Sequence, residues 1–121
     1  MKMHIGGQWV DRSEKIEVLN PFSGSIIDTI PRASQQDVET SLKTAEHGAE
    51  IMAKMTGYER YEIIHKVSEI MAERVEELAQ IITLEEGKTL AEATIEASRA
   101  IEIIALSGEE AKRLSGEVVP L

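Results

Sequence analysis

Three histidines and one Gly-Lys-Thr tripeptide are the residues of this sequence whose types and spacing could support chemistry. His65 and Glu69 lie four residues apart, a spacing that places two metal ligands on one face of a helix. No third ligand is evident nearby and Lys66 is adjacent, so a surface ion pair is the favoured interpretation. His47 is interpreted as a solvated side chain, and His4 lies on a predicted strand without an evident partner.

The tripeptide Gly87-Lys88-Thr89 matches the last three positions of a phosphate-binding P-loop. The match fails further back, because the first glycine of that motif would fall at Ile82, within a predicted helix. A helix that ends at Gly87 and another that begins at Thr89 explain the same residues. The sequence contains neither a glycine-rich dinucleotide fingerprint nor a serine with a plausible base, so the residues alone predict no active site.

Composition limits the partners and the compartment that we expect. The chain of 121 residues carries 22 acidic and 13 basic residues, a net charge of −9. A surface that binds nucleic acid or an anionic membrane needs the opposite sign, so neither partner is expected. The absence of cysteine excludes disulfides and thiolate metal sites within these residues. With no signal-like or membrane-spanning stretch in the sequence, a cytoplasmic location is predicted.

The stretch from Thr56 to Thr89 organises the rest of the sequence. Apolar residues recur there every three or four positions, which predicts one amphipathic helix over 57–86. Thr56 and Glu59 form a capping-box pattern at its start, and Gly87 is the expected left-handed stop. Four further apolar residues widen the stripe, so other elements are expected to pack against this helix on more than one side: Ile63, Ile70, Ile81 and Leu84.

The sequence predicts two more helices. Ser34 is the expected N-cap of a helix over about 35–55. Thr89 is the expected N-cap of a helix over about 90–114, with Gly116 as its C-cap. Gly48 inside the first of them is interpreted as tolerated. The inner face of the last helix consists mainly of small residues, which let another backbone approach: Ala93, Ala97, Ala100, Gly108 and Ala111.

Strands are expected within about 3–30, with a Gly6-Gly7 hairpin turn and a second turn at 20–24. Residues 117–121 are expected to be extended. The predicted fold class is α+β and mostly helical: short N-terminal hairpins followed by three long helices in one domain. The core is expected to be aliphatic, because aromatic content is only 3%.

Five stretches, taken together, resemble the aldehyde dehydrogenase family. They occur in the family's order across the whole chain. They are Ile5–Val10, similar to its I-(D/N)-G-(E/K)-W-V opening; Val18–Gly24, similar to its NPxTG turn with Ser23 in place of Thr; Arg60–Ile64, similar to its R…IL helix start; Leu84–Lys88, similar to its LETGK or LDTGK helix end; and Leu114–Leu121, similar to its L-x-G-E-V-I-P segment.

The resemblance implies the N-terminal part of the cofactor-binding domain of an NAD(P)-dependent aldehyde dehydrogenase, an α/β fold in the full-length protein. In that family a cysteine attacks the aldehyde, hydride passes to nicotinamide, and a glutamate base helps water to release the acid. Those residues would lie beyond position 121. No catalytic or cofactor-binding residue is therefore predicted here, and this chain alone is expected to be inactive and without cofactor.

Several alternatives remain open at this stage. The resemblance does not choose between NAD and NADP in the full-length enzyme, nor does it identify the aldehyde. A homo-oligomer is expected. The alternative function, from a different class, is a free-standing acidic helical module that binds a partner protein. A plain structural domain is a second alternative.

The resemblance also implies a structural Na⁺ or K⁺ site. Its ligands by position are the backbone carbonyls of Val18 and Leu19 and the carboxylate of Glu85, with Glu where Asp is usual. A remaining ligand would come from beyond residue 121. For this chain alone, the favoured interpretation of Glu85 is a surface acid in the last turn of a helix.

Overall fold

The structure, a computed structural model, describes residues 1–116 and 119. Four strands precede four helices: β1 Met3–Ile5, β2 Gln8–Val10, β3 Lys15–Leu19, β4 Ile26–Pro31, α1 Gln35–Lys54, α2 Gly57–Glu73, α3 Val75–Glu86 and α4 Leu90–Ala111. This order confirms the predicted fold class of short strands followed by long helices. The extended segment expected over 117–121 lies outside the described residues, apart from Val119.

Two separate antiparallel hairpins form the N-terminal part. The β1–β2 turn has φ 56° at Gly6 and 80° at Gly7, the two positive values that a tight hairpin turn requires. The longer β3–β4 turn is organised by Asn20, whose side-chain oxygen accepts hydrogen bonds from the backbone N–H groups of Phe22 and Ser23 at 2.9 and 3.0 Å.

The single helix predicted over 57–86 is wrong, because the structure divides it at Arg74. This residue has φ −117° and ψ 18°, and no side chain caps the start of α3. At about 1.5 Å per residue an unbroken helix would be about 45 Å long, against about 33 Å for α4. The break lets α2 and α3 both pack against α4.

Small side chains make the core between α4 and its two neighbours. Ala93, Ala97 and Ala111 are the buried residues of α4's inner side, together with Gly108. At the start of α2, a Cβ added to Gly57 would lie 2.6 Å from the carbonyl oxygen of Ala111. The predicted small-residue face is therefore confirmed at four of its five positions, while the fifth, Ala100, is only half-buried.

The sequence predicts that neighbouring elements pack on the apolar residues of the central stretch from more than one side. The described residues do not provide this packing. Ile63, Ile70 and Leu84 are all exposed. The apolar stripe of this region is thus broader than the surface that α4 covers.

Helix α4 ends earlier than predicted, and Gly116 is not its cap. Lys112 is the C-cap residue, and its N–H donates to the carbonyl of Glu109 at 3.2 Å. The ammonium of Lys112 lies 3.8 Å from the ring centroid of Tyr61 on α2, a cation–π contact. This tightened last turn ends the helix before the chain reaches Gly116.

Helix α1 stands apart from this arrangement, since its main contact is with β1. Its predicted N-cap is confirmed: Ser34 and Asp37 form a reciprocal capping box. Nothing lies within 4 Å of a Cβ added at Gly48, which agrees with its interpretation as a tolerated glycine. No helix in the described part of the chain has the length and apolar character that crossing a bilayer demands.

Candidate functional site

The residues predicted to hold a cation lie on two elements, the end of β3 and the end of α3. The β3–β4 ladder is irregular between Val18 and Leu19, where Val18 pairs with Asp28 and Leu19 with Ile26. The extra, unpaired residue of this bulge is Ile27 of β4. Glu85 is exposed in the last turn of α3. Backbone carbonyls and a carboxylate are the oxygen donors that a hard cation prefers.

A close contact brings these two elements together. Gly87 ends α3 with φ 78°, and a Cβ added there would lie 3.0 Å from Cγ of Pro21 in the β3–β4 turn. The structure thus joins the helix end that follows Glu85 to the turn that follows Leu19. In the described residues no group of three or more carboxylate or imidazole side chains could hold a metal ion, so a cation here would depend on backbone oxygens.

The lysine of the P-loop-like tripeptide has structural partners instead. Lys88 Nζ lies 2.8 Å from Glu86 Oε2 and also contacts the carboxylate of Glu96 on α4. Hydrogen bonds to Glu86 and Glu96 raise the pKa of Lys88 above its usual range. A helix, α3, precedes the tripeptide where a P-loop requires a strand. The exclusion of a phosphate loop is therefore supported.

The histidines are placed as solvated side chains. His65 Nε2 lies 3.7 Å from Glu69 Oε1, and both side chains are about half exposed. His65 also stacks on Tyr61 with ring centroids 5.2 Å apart. His4, which the sequence left without a partner, meets Trp9 edge-on across the β1–β2 hairpin at 5.2 Å between ring centroids.

A charged site with several hydrogen bonds, between Arg12 and Asp37, was not found by sequence reasoning. Arg12 Nε donates to Asp37 Oδ2 at 3.0 Å, and a second guanidinium nitrogen contacts Oδ1, so the pair is bidentate. The same carboxylate accepts from the backbone N–H of Ser34 at 2.9 Å and from its hydroxyl at 2.7 Å. The bond from Arg12 and those from Ser34 lower the pKa of Asp37 to about 2.

The Arg12–Asp37 pair joins the loop after β2 to the first turn of α1. Asp37 is buried, whereas its partner is partly exposed. The signal in the sequence was incomplete: the capping box marked Asp37, but nothing marked an arginine 25 residues earlier as its partner. The pair positions α1 on the hairpin and offers no group for catalysis.

Besides the exposed residues of α2 and α3, two further exposed apolar surfaces lie on α1 and α4. One is a groove between the β1–β2 hairpin and α1, lined in part by Val38 and Leu42. The other runs along the outer side of α4, where a mainly apolar groove is lined in part by Ile64, Ile103 and Leu106. A neighbouring groove shares Ile103 but is lined mostly by charged side chains. These surfaces, rather than a pocket with reactive groups, are the main candidates for binding.

Comparison with known proteins identifies relatives that are similar in sequence to this chain. The model of the aldehyde dehydrogenase family matches residues 9–121. A malonate-semialdehyde dehydrogenase of Bacillus thuringiensis (strain Al Hakam) is 37% identical over 122 residues, which cover 99% of this chain and 25% of that protein. This chain thus spans about a quarter of the length of the curated relatives that it matches, and the matched quarter is their N-terminal part.

Solved structures show the same relation. An aldehyde dehydrogenase from Brucella melitensis biovar abortus 2308 superposes with a TM-score of 0.93 at 32% identity, covering 99% of this chain and 25% of that one. An NAD-dependent benzaldehyde dehydrogenase from Corynebacterium glutamicum gives a TM-score of 0.90 at 30% identity, covering 99% of this chain and 27% of that one.

Proposed function

Since this chain belongs to the aldehyde dehydrogenase family, we propose that it is the non-catalytic leading segment of an enzyme that oxidises an aldehyde to a carboxylic acid with NAD⁺ or NADP⁺. The observation that carries the proposal is the match over residues 9–121 to the first quarter of much longer relatives. The segment would supply the edge hairpins and leading helices that pack on the cofactor domain.

The side chains of the segment support a structural role. Its ordered polar groups are helix caps and ion pairs, such as Thr56 with Glu59 and Arg12 with Asp37. No cysteine is available as a nucleophile. The aldehyde, the coenzyme and the reacting groups therefore belong, in this proposal, to the remainder of the enzyme.

The experiment compares the 121-residue chain with the product of its complete reading frame. We expect the complete product to reduce NAD⁺ or NADP⁺ when given malonate semialdehyde or benzaldehyde, and the chain alone to show no turnover. Calorimetry with millimolar NAD⁺ and NADP⁺ should give no saturable binding to the chain alone. A micromolar affinity for either coenzyme would contradict the assignment.

The cation site is part of the same proposal. Val18 and Leu19 carbonyls and the Glu85 carboxylate would hold Na⁺ or K⁺, supported by the Pro21–Gly87 contact that joins their two elements. Replacing Na⁺ or K⁺ by a bulky organic cation at constant ionic strength should lower the melting temperature of the full-length protein. The Glu85→Gln variant should lose less on this exchange, and an equal loss would place the cation elsewhere.

The oligomeric state, the partners and the location of the enzyme complete the proposal. A homo-oligomeric enzyme with a small aldehyde as substrate is expected, without nucleic acid or membrane as a partner. The cytoplasmic location predicted from the sequence belongs to the proposal as well, and fractionation of cells that express the tagged full-length protein would test it.

A further inference from the structure

We draw no further inference here: the strongest candidate, the apolar groove between the β1–β2 hairpin and α1 that is lined in part by Val38 and Leu42, is an open face, and nothing in the structure shows what covers it.

Discussion

Helices α1 and α4 have similar lengths, 20 and 22 residues, and both are amphipathic, but they are used differently. On α4 the inward residues are small, and Ala93 and Ala97 are 0% and 2% exposed. On α1 the apolar residues are larger, and Val38 and Leu42 are 51% and 66% exposed. Small residues allow two backbones to approach closely, whereas large ones need a complementary groove, which the described residues do not give α1.

The largest expected effect comes from enlarging the packed face of α4. Ala93→Leu should lower the free energy of unfolding by about 3 kcal/mol, because a fully buried methyl group is replaced by a side chain for which there is no space. Urea unfolding followed by circular dichroism measures this change. The matched control, Leu42→Ala on the exposed face of α1, should alter the free energy by less than about 0.5 kcal/mol. Equal effects at the two positions would remove the distinction between the helices.

The next effect concerns the attachment of α1. The low pKa of Asp37, about 2 against an ordinary 3.8, means that the folded chain favours the ionised form. Its stabilising contribution is therefore complete above about pH 4 and is lost as the pH falls towards 2. The protection factor for hydrogen exchange, which corrects for the intrinsic pH dependence of the amide rate, should fall over this range in the first turn of α1.

The control for this experiment is Asp37→Asn. This variant should show low protection factors in the same turn at every pH, with no further fall in acid. Arg12→Lys should weaken protection at neutral pH, since an ammonium cannot reproduce the bidentate contact. A fall of the protection factor in acid that persists in Asp37→Asn would assign the response to another group.

A smaller effect is expected where α3 meets the β3–β4 turn. Gly87→Ala should cost about 1–2 kcal/mol because φ is positive there. The added Cβ would also lie 3.0 Å from Cγ of Pro21, which should increase that cost. Gly24→Ala is the control, since its φ is 71° but nothing lies within 4 Å of an added Cβ. Thermal unfolding of both variants isolates the Pro21 contact, and identical losses would show that the contact is unimportant.

The smallest effect should be a gain in stability on α1. Gly48→Ala adds a methyl group in open space within a helix, so unfolding should become less favourable by up to about 1 kcal/mol. At the start of α2, Gly57→Ala should instead destabilise, because the added Cβ would lie 2.6 Å from the carbonyl oxygen of Ala111. A gain at both glycines would contradict the close approach of α2 and α4.

Local signals predicted much of this fold. The capping boxes at Ser34, Thr56 and Thr89 were all identified before the structure, because both partners of each box lie within four residues. The left-handed stop at Gly87 was identified for the same reason. In each case the sequence contains the whole interaction.

Features that depend on distant segments were missed. The break at Arg74 has no glycine or proline to mark it, and the helices on its two sides, α2 and α3, both contact α4, which follows later in the chain. Arg12 and Asp37 lie 25 residues apart and meet only when the hairpin lies on α1. The cation ligands Val18, Leu19 and Glu85 came from the family resemblance, and their joint role is still a prediction.

The contact between His4 and Trp9 has a spectroscopic consequence. Trp9 is the only tryptophan of the chain, and it is 69% exposed on the β1–β2 hairpin. Its emission maximum should therefore lie close to that of a solvated indole even in the folded chain. Fluorescence would report the opening of the hairpin, through loss of contact with the imidazole, and would barely register melting of α2–α4. A fluorescence transition and a circular-dichroism transition of this protein therefore need not coincide.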